Sequence, residues 1–461
     1  MYRLILKYAP NFVHNLCITL FNVIQYNKRY GKMYGTYKKD LGESLNYNEL
    51  RSFQQRELVD FIKYAYTNSS FYKSIYSKEV VASFKGLDDL KKLPILNKEL
   101  LRQEIHKVYT IKKKKAIISK TGGTTGKPLE VRYARKDIQK RFAFLDLFRE
   151  ELGYKLGEKT AWFSGKNILN QTNVKRNIFW KYDFFYKVKY YSTFHCSGGN
   201  LKYILSDLEK FNPKYLVGFP SNLFDIATYG LNNNIKYKGS INAIFPTAET
   251  ITPKIKTVIE TFFNTKLYNQ YASSEGAPFI TECLKGCLHL ELRSGVFEVL
   301  NSKNEPASDK GKLVVTSFST HGTPLIRYDI GDEIEFFNSS VKCTCGNENP
   351  IIKNINGRIS DFIYSPFTGK INLGNISNAT KGVKGIIRFQ IIQNYLEEVD
   401  VCIEKDQNVY NNKYEKVFLS NLYDRFGEQM RINLIYVLEI NKEKSGKFRL
   451  IKNNISDKLP Q

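Results

Sequence analysis

What the chain has little of narrows the field first. No apolar run reaches the roughly 20 residues that a bilayer-spanning helix needs. The N-terminal stretch MYRLILKYAPNFVHNLCITLFNVIQYNKRYGK is broken by Lys7, Asn11, His14 and Asn15, which leaves only residues 16–24. No small-residue cleavage site follows it, so a secretory signal is not expected. An amphipathic helix packed on the body is expected instead, with contact to an anionic inner leaflet as the other reading. The seven cysteines are odd in number and come without a signal, which argues against a disulfide framework. Acidic residues are also short: 45 Asp and Glu against 70 Lys and Arg leave +25 and favour an anionic partner. The lysines are scattered among Asn, Tyr and Ile, so general compositional bias explains the excess at least as well as a binding face. Nothing resembles a DNA-reading helix or the glycine-aromatic signature of an RNA-binding sheet, so no nucleic-acid partner is expected. Internal repeats and low-complexity tracts are missing too. The expected compartment is the cytoplasm, with the protein free or peripheral to the inner membrane.

What is present reads as a multi-unit α/β protein, since 461 residues exceed one ordinary core. Residues 1–110 carry helical periodicity, as in LNYNELRSFQQRELVDFIKYAYTN. From 111 to 300, helical stretches such as LKYILSDLEKF alternate with the short apolar runs AWFSG, YLVGFP, NAIFPTAE and KLYNQYAS, the pattern of an α/β core. Residues 301–359 are β-rich and divided by Gly and Asp turns. Together these make an N-terminal domain over 1–359. The segment 360–461 carries strand, strand, helix and strand patterns sufficient for a small, separate α+β domain.

The stretch SKTGGTTGKPLEV, residues 119–131, sets closely spaced glycines beside hydroxyls and an ammonium, a composition that can cage an anion. It is not a Walker A loop: Thr121 and Pro128 stand where that pattern needs Gly and Ser or Thr. Downstream, in order, come FPTAET (245–250), YNQYASSEG (268–276), RYDIGD (327–332), NGRISD (356–361) and KSGKFRL (444–450). Each alone is weak. In this order and spacing they resemble the adenylate-forming superfamily of acyl-CoA ligases, and within it the phenylacetate-CoA ligase branch and its CapK-like relatives linked to capsular polysaccharide synthesis.

The resemblance implies a large adenylation domain with a mobile C-terminal α+β lid, and a two-step reaction. A carboxylic acid attacks the α-phosphorus of ATP to give an acyl- or aryl-adenylate. A thiol, CoA in most of the family, or an amine or hydroxyl on a sugar then displaces AMP. The resemblance further implies roles by position. Thr121, Gly122, Gly123, Thr124, Thr125, Gly126 and Lys127 would grip the β- and γ-phosphates, with Gly122 standing where a serine is common. Ala248 and Glu249 would line the adenine edge through the backbone, Tyr271 would stack on adenine, and Ser274 would touch the α-phosphate. Glu275 would hold Mg²⁺. Asp332 would accept both ribose hydroxyls with Arg358 beside it. Lys447 would swing toward the charge between carboxylate and α-phosphate, and His195 would lie near the carboxylate and the second nucleophile. Pocket walls would come from 219–222, 245–248 and His195.

Four cysteines pair off: Cys283-x3-Cys287-x-His289 and Cys343-x-Cys345 offer five soft or borderline ligands, and tetrahedral zinc needs four. The pattern in phenylacetate-CoA ligase relatives implies Cys283, His289, Cys343 and Cys345 as the structural set, with Cys287 spare; unliganded thiols are the alternative. A homodimer is compatible with all of this. The reading from a different class is a catalytically silent nucleotide-binding or scaffold member of a polysaccharide-assembly pathway.

Overall fold

The computed structural model describes residues 10–120, 129–164, 168–337, 341–358, 362–372, 376, 378–380, 382–443 and 448–455. The helical N-terminal part does not stand alone. Asn46 caps the Tyr47–Asn68 helix in a reciprocal capping box with Glu49, and the helix buries Leu50, Leu58, Phe61, Ile62 and Ala65 along one face. That face joins Tyr72, Leu313, Val315, Phe318 and Tyr328 in one core, so these helices cover the β-rich segment that lies over two hundred residues later. Gln54 donates to Gly295 O at 2.7 Å and Tyr72 Oη to Pro324 O at 2.8 Å, which fixes the register of helix on sheet. The sheet runs Gly295–Leu300, Lys310–Ser317, Tyr328–Glu335, Asn354–Arg358, all antiparallel.

A five-stranded sheet forms the α/β core in the order Trp180–Asp183, Val188–Ser192, Thr160–Ser164, Tyr215–Gly218, Ala243–Pro246. Its last four strands are parallel and the first is antiparallel. Tyr215–Gly218 and Ala243–Pro246 are buried at every residue, as parallel strands covered on both faces must be. The apolar runs AWFSG, YLVGFP and NAIFPTAE become three of these strands. The Trp180–Ser192 hairpin was not foreseen, because its turn contains neither Gly nor Pro. The turn is made by Asp183, whose Oδ1 accepts from Phe185 N at 2.9 Å and Tyr186 N at 3.2 Å, and by Lys187 at φ 53°.

Ile117–Lys120 and Glu130–Tyr133 pair antiparallel, so the glycine-rich loop, whose residues 121–128 lie outside the described residues, joins two strands. A Walker A loop would enter a helix. Another sheet orders Ile351–Ile352, Leu288–Leu290, Ile280–Glu282, Gln270–Tyr271. The C-terminal sheet orders Arg431–Val437, Glu398–Lys405, Ile386–Tyr395, Ile451–Asn453, and packs on the Asn412–Phe426 helix. Among the described residues its core draws on those between Ile363 and Ile451, including Phe389, Phe418, Leu422 and Phe426. No helix among the described residues is long and apolar enough to cross a membrane.

The two cores meet at a polar seam. Asp225, on the Pro220–Asn232 helix, pairs with Arg388 and lies 3.5 Å from Lys442 Nζ. Lys442 also donates to Cys196 O at 3.0 Å and Thr193 O at 3.4 Å, and Phe448 N donates to Glu249 Oε1 at 2.9 Å.

Candidate active site

The residues expected at a nucleotide site fall into connected groups. Tyr271 ends the short Gln270–Tyr271 strand, and its Oη donates to Asp332 Oδ2 at 2.6 Å. A phenol on a carboxylate makes a short, charge-assisted bond, and it fixes the carboxylate. Asp332 is buried in the Tyr328–Glu335 strand, directly opposite Arg358 in the ladder; the Arg358 side chain lies outside the described part. Gly331, at φ 77°, supplies the irregularity in the RYDIGD strand that a side-chain-bearing residue resists, and its N–H is held by Asp329 Oδ1 at 2.9 Å. The arginine of that motif has a different task. Arg327 forks onto Glu298 at 2.8–3.1 Å and donates to Leu93 O, which ties sheet to N-terminal segment.

The YASSEG turn is clamped from three sides. Tyr133 Oη donates to Ser274 O at 3.0 Å, Ser317 Oγ to Gly276 O at 2.6 Å, and Arg141 to the carbonyls of Gly276 and Ala277 at 3.0 and 2.9 Å. Gly276 sits at φ 109°, and a Cβ there would meet Thr320 Cγ2 at 2.4 Å. Tyr133 belongs to the Glu130–Tyr133 strand, so that strand and the Glu275 turn are braced together. Glu275 is buried, and its carboxylate accepts Lys98 Nζ at 2.9 Å. Lys98 and Arg141 were missed by sequence reasoning: one lies in an unremarkable LNKEL segment, the other in a helix whose charges look solvated.

Ala248 adopts φ 65°, a costly conformation for a residue with a Cβ and one that clusters at functional sites. The Glu249 side chain does more than its expected backbone role. It takes Ser221 N at 2.9 Å and Ser221 Oγ at 3.0 Å at the start of the Pro220–Asn232 helix, and it receives Phe448 N from the C-terminal unit. Phe245, expected as pocket wall, is instead core, packed with Phe148, Tyr154 and Tyr215. Lys447 and the loop residues Thr121, Gly122, Gly123, Thr124, Thr125, Gly126 and Lys127 lie outside the described residues.

His195 closes a 3-10 turn, Thr193–His195, with Nδ1 at 2.9 Å from Ser192 Oγ and its ring stacked on Phe179 at 5.8 Å. Partial burial lowers its pKa and favours the neutral imidazole. The carbonyls of Thr193 and Cys196 that flank it receive Lys442, so His195 stands at the seam between the units. Arg388 and Lys442 are further residues the sequence reading did not single out. The available signal was an arginine inside the apolar strand run IIRFQII. A cleft of about 870 Å³ lies elsewhere, beside Glu57, Lys140 and His321, and among the described residues none of the expected site residues lines it.

Cys283, His289, Cys343 and Cys345 bring one donor atom each to within 4.8 Å of one another. Cys283 Sγ lies 3.6 Å from Cys343 Sγ, and Cys345 Sγ lies 3.4 Å from His289 Nε2. Tetrahedral zinc, with bonds of about 2.3 Å to sulfur and about 2.0 Å to nitrogen, spaces its donors roughly 3.5–3.8 Å apart, so the donor set fits. Asn349 O accepts His289 Nδ1 at 3.0 Å, which turns Nε2 toward the sulfurs. Burial raises the Cys343 pKa, but hydrogen bonds from Cys287, Cys345 and His289 outweigh it and hold that thiol down at about 6. Cys287 shapes the knuckle through its carbonyl, which accepts Cys283 N at 2.9 Å. The cluster joins the 341–350 loop to the sheet whose edge strand carries Tyr271.

Comparison with known proteins agrees with this architecture. Residues 363–454 match the CapK C-terminal domain. The chain is 34% identical to Protein CapK of Staphylococcus aureus over 99% of this chain and 100% of that one. It is 24% identical to the phenylacetate-coenzyme A ligase of Thermus thermophilus over 70% of this chain and 73% of that one. A 2-hydroxyisobutyryl-CoA ligase in the postadenylation state, in complex with 2-HIB-AMP, superposes at TM-score 0.72 with 17% identity, over 90% and 91% of the two chains. The same ligase in the thioesterification state, with CoA, gives TM-score 0.57 at 18% identity, over 90% and 92%.

Proposed function

The chain belongs to the CapK family of the adenylate-forming superfamily, and from that premise we propose that it activates a carboxylic acid with ATP and transfers the acyl group. In the first step a carboxylate oxygen bonds to the α-phosphorus, the bond to the bridging oxygen breaks, and pyrophosphate leaves. In the second a nucleophile bonds to the acyl carbon and AMP leaves. The acceptor is CoA, or the hydroxyl or amine of a sugar if the protein serves surface-polysaccharide assembly as its CapK relationship suggests.

The observation that carries this reading is the bond between Tyr271 and Asp332. Adenine and ribose are neighbours in one nucleoside. A tyrosine held by its hydroxyl on a buried carboxylate offers a ring face for the base and, one bond away, acceptor lone pairs for the ribose hydroxyls. Arg358 lies across the ladder from that carboxylate, and Ala248 presents backbone to the adenine edge. Ser274 contacts the α-phosphate, and the loop from Thr121 to Lys127 holds the outer phosphates. Lys447 supplies charge where carboxylate and α-phosphate meet; Phe448, next in sequence, is already docked on Glu249. His195, neutral and at the seam, faces the acyl carboxylate and the incoming nucleophile. Magnesium on Glu275 would neutralise phosphate charge, sharing a carboxylate that Lys98 also engages. Zinc on Cys283, His289, Cys343 and Cys345 would be structural, since four protein donors leave no open position.

The test is pyrophosphate exchange into ATP with Mg²⁺ across aryl, short aliphatic, hydroxy and amino acids, comparing the intact protein with Lys447→Ala and Tyr271→Phe. Exchange with one acid class, abolished in Lys447→Ala and slowed with a raised KM for ATP in Tyr271→Phe, is expected. ATP binding without exchange for any acid would refute the reading in favour of a silent scaffold.

A further inference from the structure

The Asn11–Arg29 helix is mounted inside out. Asn11, Asn15, Thr19 and Asn22 recur at helical spacing and form one polar stripe, and that stripe faces the protein. Asn11 Oδ1 accepts Lys181 Nζ at 2.7 Å and Asn173 Nδ2 at 3.2 Å. Asn15 Oδ1 accepts Tyr182 N and Thr19 Oγ1 accepts Phe184 N, both at 3.0 Å, while Asn22 Nδ2 donates to Asp183 Oδ2 at 2.5 Å. Trp180–Asp183 is the outer strand of the five-stranded sheet, so these side chains take the place of a missing neighbour strand and satisfy edge amides.

Docking by the polar face turns the apolar one outward. Phe12, Leu16, Leu20 and Ile24 run four residues apart along the helix at 64, 43, 53 and 71% exposure, flanked by exposed Val13, Phe21 and Val23. Phe184 and Phe185, at the tip of the adjoining hairpin and also exposed, continue the surface, with the Phe184 ring 6.0 Å from Phe12. Scattered exposed apolar residues are ordinary, but a stripe the length of a helix marks a contact surface.

Charge selects the occupant. The residues before Asp40 include no Asp or Glu and seven Lys or Arg, namely Arg3, Lys7, Lys28, Arg29, Lys32, Lys38 and Lys39. Lys28 and Arg29 close the helix, Lys32 is exposed at the start of the next, and Lys187 is exposed beside the Phe184–Phe185 tip. A second copy of the chain would set these cations against their own equivalents across a twofold, on a protein already at +25. An anionic lipid surface meets both requirements, taking apolar side chains at the headgroup boundary and cations on its phosphates. We propose that this face seats the protein on an anionic bilayer, with the helix lying in the plane of the interface. The proposal is independent of the acid-activation reading.

Flotation of the full chain tests it, using vesicles of phosphatidylcholine alone or mixed with phosphatidylglycerol. The expected result is cofloating with the anionic vesicles only, weakened by salt. Leu20→Glu with Ile24→Glu should lower apparent affinity by roughly tenfold or more. Both positions are exposed, so the melting temperature should not move. Lys32→Glu with Lys187→Glu should also weaken binding without touching the apolar stripe, which keeps the test valid if the first variant misfolds. No flotation, equal binding to neutral vesicles, or unchanged binding of both variants would overturn the proposal. So would a dimer by light scattering that Leu20→Glu with Ile24→Glu dissolves while vesicle binding is absent.

Discussion

Asp225→Ala removes the acidic group that pairs with Arg388 and lies 3.5 Å from Lys442 at the seam, and leaves Glu439 as the carboxylate that still acts on both cations. The side chains of Asp225, Arg388 and Lys442 are nearly buried, at 8%, 6% and 8% exposure. Burial pulls the pKa of both cations down, so each is costly in the docked arrangement and Asp225 offsets that cost. Breaking a buried pair by deleting one partner costs about 3–5 kcal/mol when the stranded charge has no escape. Here it has one, because separation of the units returns Arg388 and Lys442 to water. The penalty therefore falls on the docked arrangement and not on either core, and a figure of about 2–3 kcal/mol is reasonable. At 1.4 kcal/mol per tenfold, the docked population drops by a factor of roughly 30 to 150. If docking is what brings the C-terminal unit to the acid and ATP, pyrophosphate exchange falls by that factor while thermal unfolding of the chain shifts little. Acyl transfer from adenylate supplied ready-made should be spared. Exchange at the parental rate would refute the assigned role of the latch. A melting temperature that falls in step with activity would refute it as well, since Asp225 would then be stabilising the fold.

Two further outcomes are expected. Purified protein should carry one zinc per chain by elemental analysis, and Cys345→Ser or prolonged chelation should remove the metal and lower the melting temperature. Retention of full zinc in Cys345→Ser would disprove the four-residue set. Lys181 is fully buried, and desolvation lowers its pKa from 10.5 to about 8. Between those values Lys181 binds more protons in the unfolded chain than in the folded one, so its own contribution to stability should rise with pH from about 8 to 10.5, against the opposite contribution of the buried tyrosines near pH 10. Equilibrium denaturation of the parent and Lys181→Met across that range checks it, and the variant should lose this part of the slope.

Local order was legible where residues carry their own instructions. The periodicity of LNYNELRSFQQRELVDFIKYAYTN announces the Tyr47–Asn68 helix, and the runs around Tyr215 and Ala243 announce buried strands. The ordered motifs also pointed to the adenylate-forming fold, because short segments that touch one ligand must keep their chemistry even when the scaffold around them drifts. The hairpin at 180–192 was not legible: its turn rests on one aspartate side chain folding back on two amides, a device without a Gly or Pro to mark it. Lys98, Arg141 and Arg388 were not legible as site or seam residues either, since their partners come from distant segments.

By itself, then, the sequence determined the periodicities, the turns, the donor types and the order of motifs, all of which depend on neighbours within a few residues. Only the tertiary structure decided that the phenol of Tyr271 would meet Asp332, that the donor atoms of Cys283, His289, Cys343 and Cys345 would converge, and which face of the first helix would look outward. On hydrophobicity alone that helix should bury its Phe and Leu stripe. It does the reverse because unpaired amides on a sheet edge must be satisfied, and an asparagine stripe can satisfy them where leucine cannot.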